Sequence, residues 1–157
     1  MTGCCSSCRG FTLIELLAVT AILAVLVAVA VPRLFGAIDK AKIARAIAEI
    51  STINKAVMSY RAAHGGNLPA DMAALVPEHL AQLPIDPWGM PYVYNNFDMV
   101  TPGERRKDGP LVPINKEYDI FSCGPNQKTT PNIVSTQGRD DIIMANDGDF
   151  INVAAEY

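Results

Sequence analysis

Charge and aromatic rings are both scarce in this chain. Of its 157 residues, 18% are Asp, Glu, Lys or Arg and 7% are Phe, Trp or Tyr, and the formal net charge is -3. So few charges and so mild an acidity argue against a nucleic-acid binder. Four Cys are too thin for a disulfide scaffold. There is no phosphate loop and no nucleophile elbow. The two histidines, His64 beside Gly65-Gly66 and His79 in Pro77-Glu78-His79-Leu80, share no metal-ligand spacing. Cys123 has no identifiable base and reads as a small strand residue. An enzymatic reading therefore lacks parts. What is abundant is apolar sequence, 50% by count, which excludes a disordered tail, and the length suits one globular domain.

The apolar residues and the charges are segregated. Between Gly10 and Pro32 the only charged residue is Glu15, and Leu16 to Val31 is apolar except for Thr20. Residues 33 to 61 carry six bases (Arg33, Lys40, Lys42, Arg45, Lys55, Arg61) against Asp39 and Glu49, a balance of +4. From residue 62 onward thirteen acids face six bases, a balance of -7. The order is an apolar rod, a basic segment and an acidic globular part.

As a helix the 21 residues from Phe11 to Val31 span about 30 Å, the thickness of a bilayer core. A cleaved secretory signal would need a more basic start than Arg9 and an A-x-A-like site after the run, and Val31-Pro32-Arg33-Leu34-Phe35 offers none. A simple signal anchor leaves Glu15 unexplained. At mid-helix in lipid a carboxylate costs roughly 2.5 to 3.5 kcal/mol on insertion scales, so it needs a partner or an interfacial position.

Arg9-Gly10-Phe11-Thr12-Leu13-Ile14-Glu15-Leu16-Leu17 resembles the processing and assembly signature of type IV prepilins and of the pseudopilins of type II secretion systems. That resemblance implies a leader of residues 1 to 10, cut between Gly10 and Phe11 by a membrane-embedded prepilin peptidase that also methylates the amine of Phe11. It implies that Glu15 pairs with the N-terminal amine of a neighbouring subunit. Two opposite charges in an apolar bundle are costly alone and compensate together, which sets the register between subunits. Cys4, Cys5 and Cys8 would leave with the leader, so the mature chain would hold Cys123 alone and no internal disulfide. A metal site or palmitoylation at the leader cysteines is the weaker alternative.

Pro32 should kink the helix without ending it, because helical periodicity resumes through Leu34, Ile38, Ile43, Ile47, Ile50, Val57 and Tyr60. The helix would run from Phe11 to about Ala63, roughly 80 Å, and stop at Gly65-Gly66. The basic residues along it read either as a solvated face or as contacts to acidic surface on adjacent subunits. Leu68, Met72 and Leu75 share one face of a short helix after a loop. Asp86-Pro87-Trp88-Gly89-Met90-Pro91-Tyr92-Val93-Tyr94 is similar to the D-P-W-G-x-P-Y-x-Y motif of the major pseudopilin, and reads as a fold staple. Residues 95 to 117 read as a mobile surface insertion, with a partner contact through Arg105, Arg106 and Lys107 as the alternative. Tyr118 to Gly124 and Asp140 to Asp147 alternate like strands.

The expected fold is α+β and type IV pilin-like: a long kinked N-terminal helix packed on a small antiparallel sheet of three or four strands. The expected divisions are the leader (1–10), a transmembrane and filament-core half of the helix (11–32), its amphipathic half (33–63) and a periplasmic globular domain (64–157). In the resembled family the stretch matching Ser122-x-Gly124-x-Asn126 and a later acidic pair close a loop around a structural calcium ion. That implies Asn126, Asp140 and Asp141 as ligands here; the alternative is that the two acids are ordinary solvated residues at a strand start. The resemblance further implies an inner-membrane subunit with minor pseudopilins, the prepilin peptidase and an assembly platform with its ATPase as partners. It would polymerise with its own kind to help drive protein export, a mechanical and not an enzymatic role. The alternatives are a surface type IV pilus subunit for motility, adhesion or uptake, and a membrane-anchored binding module or enzyme, which would keep residues 1 to 10.

Overall fold

One helix, α1 (Leu13–Ala63), carries the first third of the chain and continues through Pro32. A computed structural model describes residues 11–110 and 112–157; Gly10 and the leader cysteines Cys4, Cys5 and Cys8 lie outside the described residues. The described chain falls into two units that divide between Asp39 and Lys40.

In the first unit no described side chain is buried. Leu13, Ile14, Leu26 and Phe35 are each 60% or more exposed. A helical surface this long and this apolar, left exposed among the described residues, is built for a non-aqueous neighbour.

The second unit begins with the rest of α1, which buries Ala46, Ile50, Ile53, Ala56 and Val57. Their spacing of three or four residues makes one stripe, and Ile43, Ile47 and Tyr60 pack along its borders. The helix ends where Gly65 and Gly66 adopt positive φ and Gly66 N donates to Arg61 O at 2.9 Å, a glycine stop that caps the last carbonyls. A short 3-10 turn, Met72–Leu75, follows, capped by Asp71, whose side chain accepts from Ala74 N. It drops Leu75 into the core, with Leu68 and Met72 against it.

The sheet has four antiparallel strands, β1 (Val93–Asn96), β4 (Tyr118–Ser122), β5 (Ile142–Ala145) and β6 (Phe150–Val153), in the order β1-β4-β5-β6. A separate hairpin pairs β2 (Lys107–Asp108) with β3 (Val112–Pro113). Side chains alternate across a strand. Tyr94, Tyr118, Ile120, Ile142, Met144, Ile151 and Val153 therefore share the face that packs on α1. Val93, Phe121, Ile143, Ala145 and Phe150 form the opposite face, which Ile114, Ile133 and Ala154 cover.

That second covered face departs from the sequence expectation. The 95–117 stretch is no surface insertion: Ile114 and Arg106 from it are buried. Lys107 N donates to Pro131 O at 3.0 Å and Ile133 N to Lys107 O at 3.1 Å, so this loop is stitched to the one preceding β5. The two loops together form the lid that lets β4 bury all five of its residues.

Candidate functional site

The start of α1 is organised by two residues, Thr12 and Glu15. Thr12 immediately precedes α1, and its backbone N and its hydroxyl both donate to Glu15 Oε2, at 2.9 and 2.8 Å. Glu15 N donates back to Thr12 Oγ1 at 3.3 Å. This reciprocal pattern is a capping box: residue and partner three apart each satisfy an N–H that the first turn leaves open. Among the described residues only one oxygen of Glu15 is engaged, and Phe11, the residue before Thr12, is 80% exposed. The T-x-x-E spacing that signals this box is legible in Thr12-Leu13-Ile14-Glu15 itself. Farther along, the hydroxyl of Thr20 donates to Leu17 O at 3.0 Å, so it too costs little in an apolar setting.

Within the second unit, Asp86 holds the D-P-W-G turn together. Its Oδ1 accepts from Trp88 N at 3.0 Å and Met90 N at 2.8 Å, and its Oδ2 accepts from the hydroxyl of Ser122 at 2.6 Å. Ser122 Oγ in turn accepts from Gly124 N at 3.0 Å. Gly124 sits at φ +65, and a Cβ there would lie 2.2 Å from Asp140 O, so the chain crossing admits no side chain. The turn and the S-x-G stretch are thus one staple across β1 and β4. Tyr92, Tyr94 and Tyr118 donate to Glu49 Oε2, Pro69 O and Asn54 Oδ1 respectively, fastening the sheet to the elements over it. Burial and the Glu49 carboxylate push the Tyr92 phenol upward, keeping it a donor.

The structure brings Asn126 and Asp140 together and turns Asp141 elsewhere. Asn126 N donates to Asp140 Oδ2 at 3.1 Å and Asn126 Nδ2 donates to Asp140 Oδ1. Asp141 is fully buried, and its Oδ2 accepts from the Arg106 guanidinium and from Thr129 Oγ1. Among the described residues no three His, Cys, Asp or Glu side chains converge as a metal set. Calcium takes six to eight oxygens. The group Asn126 turns to Asp140 is an N–H, and one Asp141 oxygen already holds a cation, while Asp141 Oδ1 is buried without a partner among the described residues. The donor set does not fit the ion.

Of the helix bases, Arg61 makes a two-pronged pair with Glu117, at 2.5 and 3.0 Å, and Arg45 pairs with Glu49 four residues on. Arg105 lies over the Phe97 ring and donates to Phe97 O. Cys123 is buried, and burial pushes its thiol up and away from the reactive thiolate. His64 and His79, unconnected by spacing, meet around Tyr60 with centroids 6.4 Å apart, His64 stacked on the ring at 3.8 Å.

An exposed apolar helix opened by a Thr-Glu box and running onto a small antiparallel sheet defines the class: a type IV pilin-like filament subunit. Residues 5–31 match the family described as the prokaryotic N-terminal methylation motif. The chain is 31% identical over 134 residues to type II secretion system core protein G of Escherichia coli (strain K12), covering 75% of this chain and 82% of that protein. The same-named protein of Pseudomonas aeruginosa is 31% identical over 135 residues, covering 76% and 84%, and that of Aeromonas hydrophila 30% over 131 residues, covering 73% and 81%. No solved structure matches. The chain belongs to the family of type II secretion system core protein G, the major pseudopilins.

Proposed function

We propose that this protein is the repeating subunit of a type II secretion pseudopilus, made with a leader of residues 1–10 that a prepilin peptidase removes between Gly10 and Phe11 while methylating the Phe11 amine. Residues 11–32 anchor the stored subunit in the inner membrane, with Pro32 a kink at the membrane edge. Residues 33–63 form the amphipathic stem, and 64–157 the periplasmic domain. Subunits join minor pseudopilins on an assembly platform driven by its ATPase, and growth of the filament helps push folded proteins through the outer membrane. The relatives in this family are structural pseudopilins, and the role proposed here has no catalytic step.

The observation that supports this reading best is the Thr12–Glu15 box at the head of an uncovered apolar helix. A stored subunit in lipid satisfies one Glu15 oxygen locally, which offsets part of the cost of carrying a carboxylate there. Its other oxygen is free for the cationic amine of a neighbouring copy. Forming that pair in the low-dielectric filament core is favourable only in one axial register, so the pair acts as a position gauge as well as an attraction.

Two measurements test it. Mass spectrometry should find mature chains that begin at a methylated Phe11; residues 1–10 still attached with Phe11 unmodified would overturn the proposal. Glu15→Ala should be cleaved normally and yet fail to enter sedimentable filaments, and normal assembly by that variant would refute the docking role.

A further inference from the structure

The two acids at the entry to β5 are already supplied with donors from within the chain. Asp140 receives both of its bonds from Asn126, one from the backbone N and one from the side-chain amide. The direction of that amide is fixed, because Asn126 Oδ1 accepts from Lys128 N. Flipping it would set an NH2 against an N–H. Position 126 therefore presents to Asp140 a donor, where a metal ligand would present an oxygen.

Asp141 is the deeper of the two. Its carboxylate is 0% exposed and the Arg106 side chain that meets it is 1% exposed. The same guanidinium donates to Thr130 O, lies 3.8 Å from the centre of the Phe121 ring, and grows from a residue whose backbone N donates to Asp119 Oδ2 at 2.6 Å. Arg106 thus ties three parts of the fold at one point: its own loop between β1 and β4, the Thr129–Thr130 stretch, and the entry to β5. A calcium ion in such a loop has that same task, to gather carboxylates and carbonyl oxygens from separate stretches of chain around one positive centre. A planar guanidinium with five donors does so without leaving the chain.

We propose that the loop between β4 and β5 is held by the buried Arg106 guanidinium and the Asn126 amide in place of a divalent cation, so that this subunit folds and keeps its shape whether or not calcium is present. A second positive centre beside Arg106 on Asp141 would be repelled by the first and would gain few free oxygens. The pair also explains why Arg106 is buried at all. Removing only one partner of a buried ion pair leaves a bare charge, whereas replacing both with apolar groups removes the problem.

The test uses the full-length chain in detergent, melted by circular dichroism in excess EGTA and in millimolar calcium. Its Tm should be the same in both. A loop held by calcium at a hundred times its dissociation constant would lose about 8 °C on chelation, and a shift of that size would overturn the proposal. Arg106→Met should lower Tm by about 10 °C, and Arg106→Met combined with Asp141→Leu should regain about half of that loss. A single variant as stable as the parent, or a double variant no better than the single, would also overturn it. Where Arg106→Met does not fold, the chelation measurement on the unaltered chain decides alone.

Discussion

Asp86 is the residue whose loss the structure prices most directly. It is 3% exposed, and it accepts three hydrogen bonds, two from the adjacent Trp88–Met90 turn and one from Ser122, 36 residues further along the chain. Asp86→Ala leaves two backbone N–H groups and one buried hydroxyl without an acceptor. Each bond to a charged group contributes about 1.5 to 3 kcal/mol, and a buried donor left open costs about 1 to 3 kcal/mol. Trp88 and Met90 are not fully enclosed, so water replaces part of what their amides lose. The net destabilisation is therefore about 4 kcal/mol, or a Tm lowered by about 12 °C in a chain of this size. Asp86→Asn keeps an oxygen for the two amides but turns an NH2 toward Ser122, whose hydroxyl already accepts from Gly124 N, at a cost of about 1 to 2 kcal/mol. Thermal melts of the detergent-solubilised chain should rank the parent above Asp86→Asn and that above Asp86→Ala. An Asp86→Ala chain within about 1 kcal/mol of the parent would refute the view that this carboxylate staples the turn to β4.

Two further outcomes follow from the same core. Burial pushes the Asp119 carboxyl up to about 6, against an ordinary value of 3.8, so between about pH 4 and pH 6 the folded chain keeps a proton that the unfolded chain has lost. Stability should fall as pH rises through that window, with a penalty of roughly 3 kcal/mol fully present above it, and Asp119→Asn should flatten that slope in melts taken at several pH values; an unchanged slope would contradict the assignment. Gly124→Ala places a methyl group 2.2 Å from Asp140 O and 2.8 Å from Asp140 C, backbone atoms that cannot swing aside. It should cost about 3 kcal/mol or more by denaturant titration, beyond the roughly 1 kcal/mol that a positive φ costs a residue with a Cβ, and a loss of only that smaller size would mean that the crossing is loose.

The helix and the strands were readable because their information is local. The stripe Ile43, Ile47, Ile50, Val57, Tyr60 repeats at helical spacing, and Gly65-Gly66 stands where α1 stops, so period and punctuation agree. Alternation in Tyr118-Asp119-Ile120-Phe121 marked β4 for the same reason. The lid over the far face of the sheet was not readable. Its strands β2 and β3 are two residues each, too short to carry a period, and the loop around them has the Pro, Gly and charge that ordinarily mark solvent-facing chain. Arg106 sat in a run of charges, Glu104-Arg105-Arg106-Lys107-Asp108, where burial of one member has no local sign. Its partner is 35 residues away, and only the closed sheet brings the two together.

The charge split along the chain also changes meaning once the contacts are counted. Thirteen acids beyond residue 62 suggested a strongly negative surface, yet Asp86, Asp119 and Asp141 are buried, and Glu117 and Asp147 are paired to Arg61 and Lys116. On the helix, Arg45 and Arg61 are spent on Glu49 and Glu117. Among the described residues Arg33, Lys40, Lys42 and Lys55 make no ion pair, and of the two acids in their midst Glu49 is taken by Arg45, which leaves Asp39. The positive surplus left after internal pairing therefore lies on the stem between residues 33 and 55, while beyond residue 62 eight acids still face four bases, so a neighbouring subunit would meet a positive field on the stem and an acidic one on the globular part. Exposed pairs contribute little to affinity and much to approach and register. Basic stem residues of this kind suit a filament whose strong contacts are apolar and whose subunits must still be guided into place.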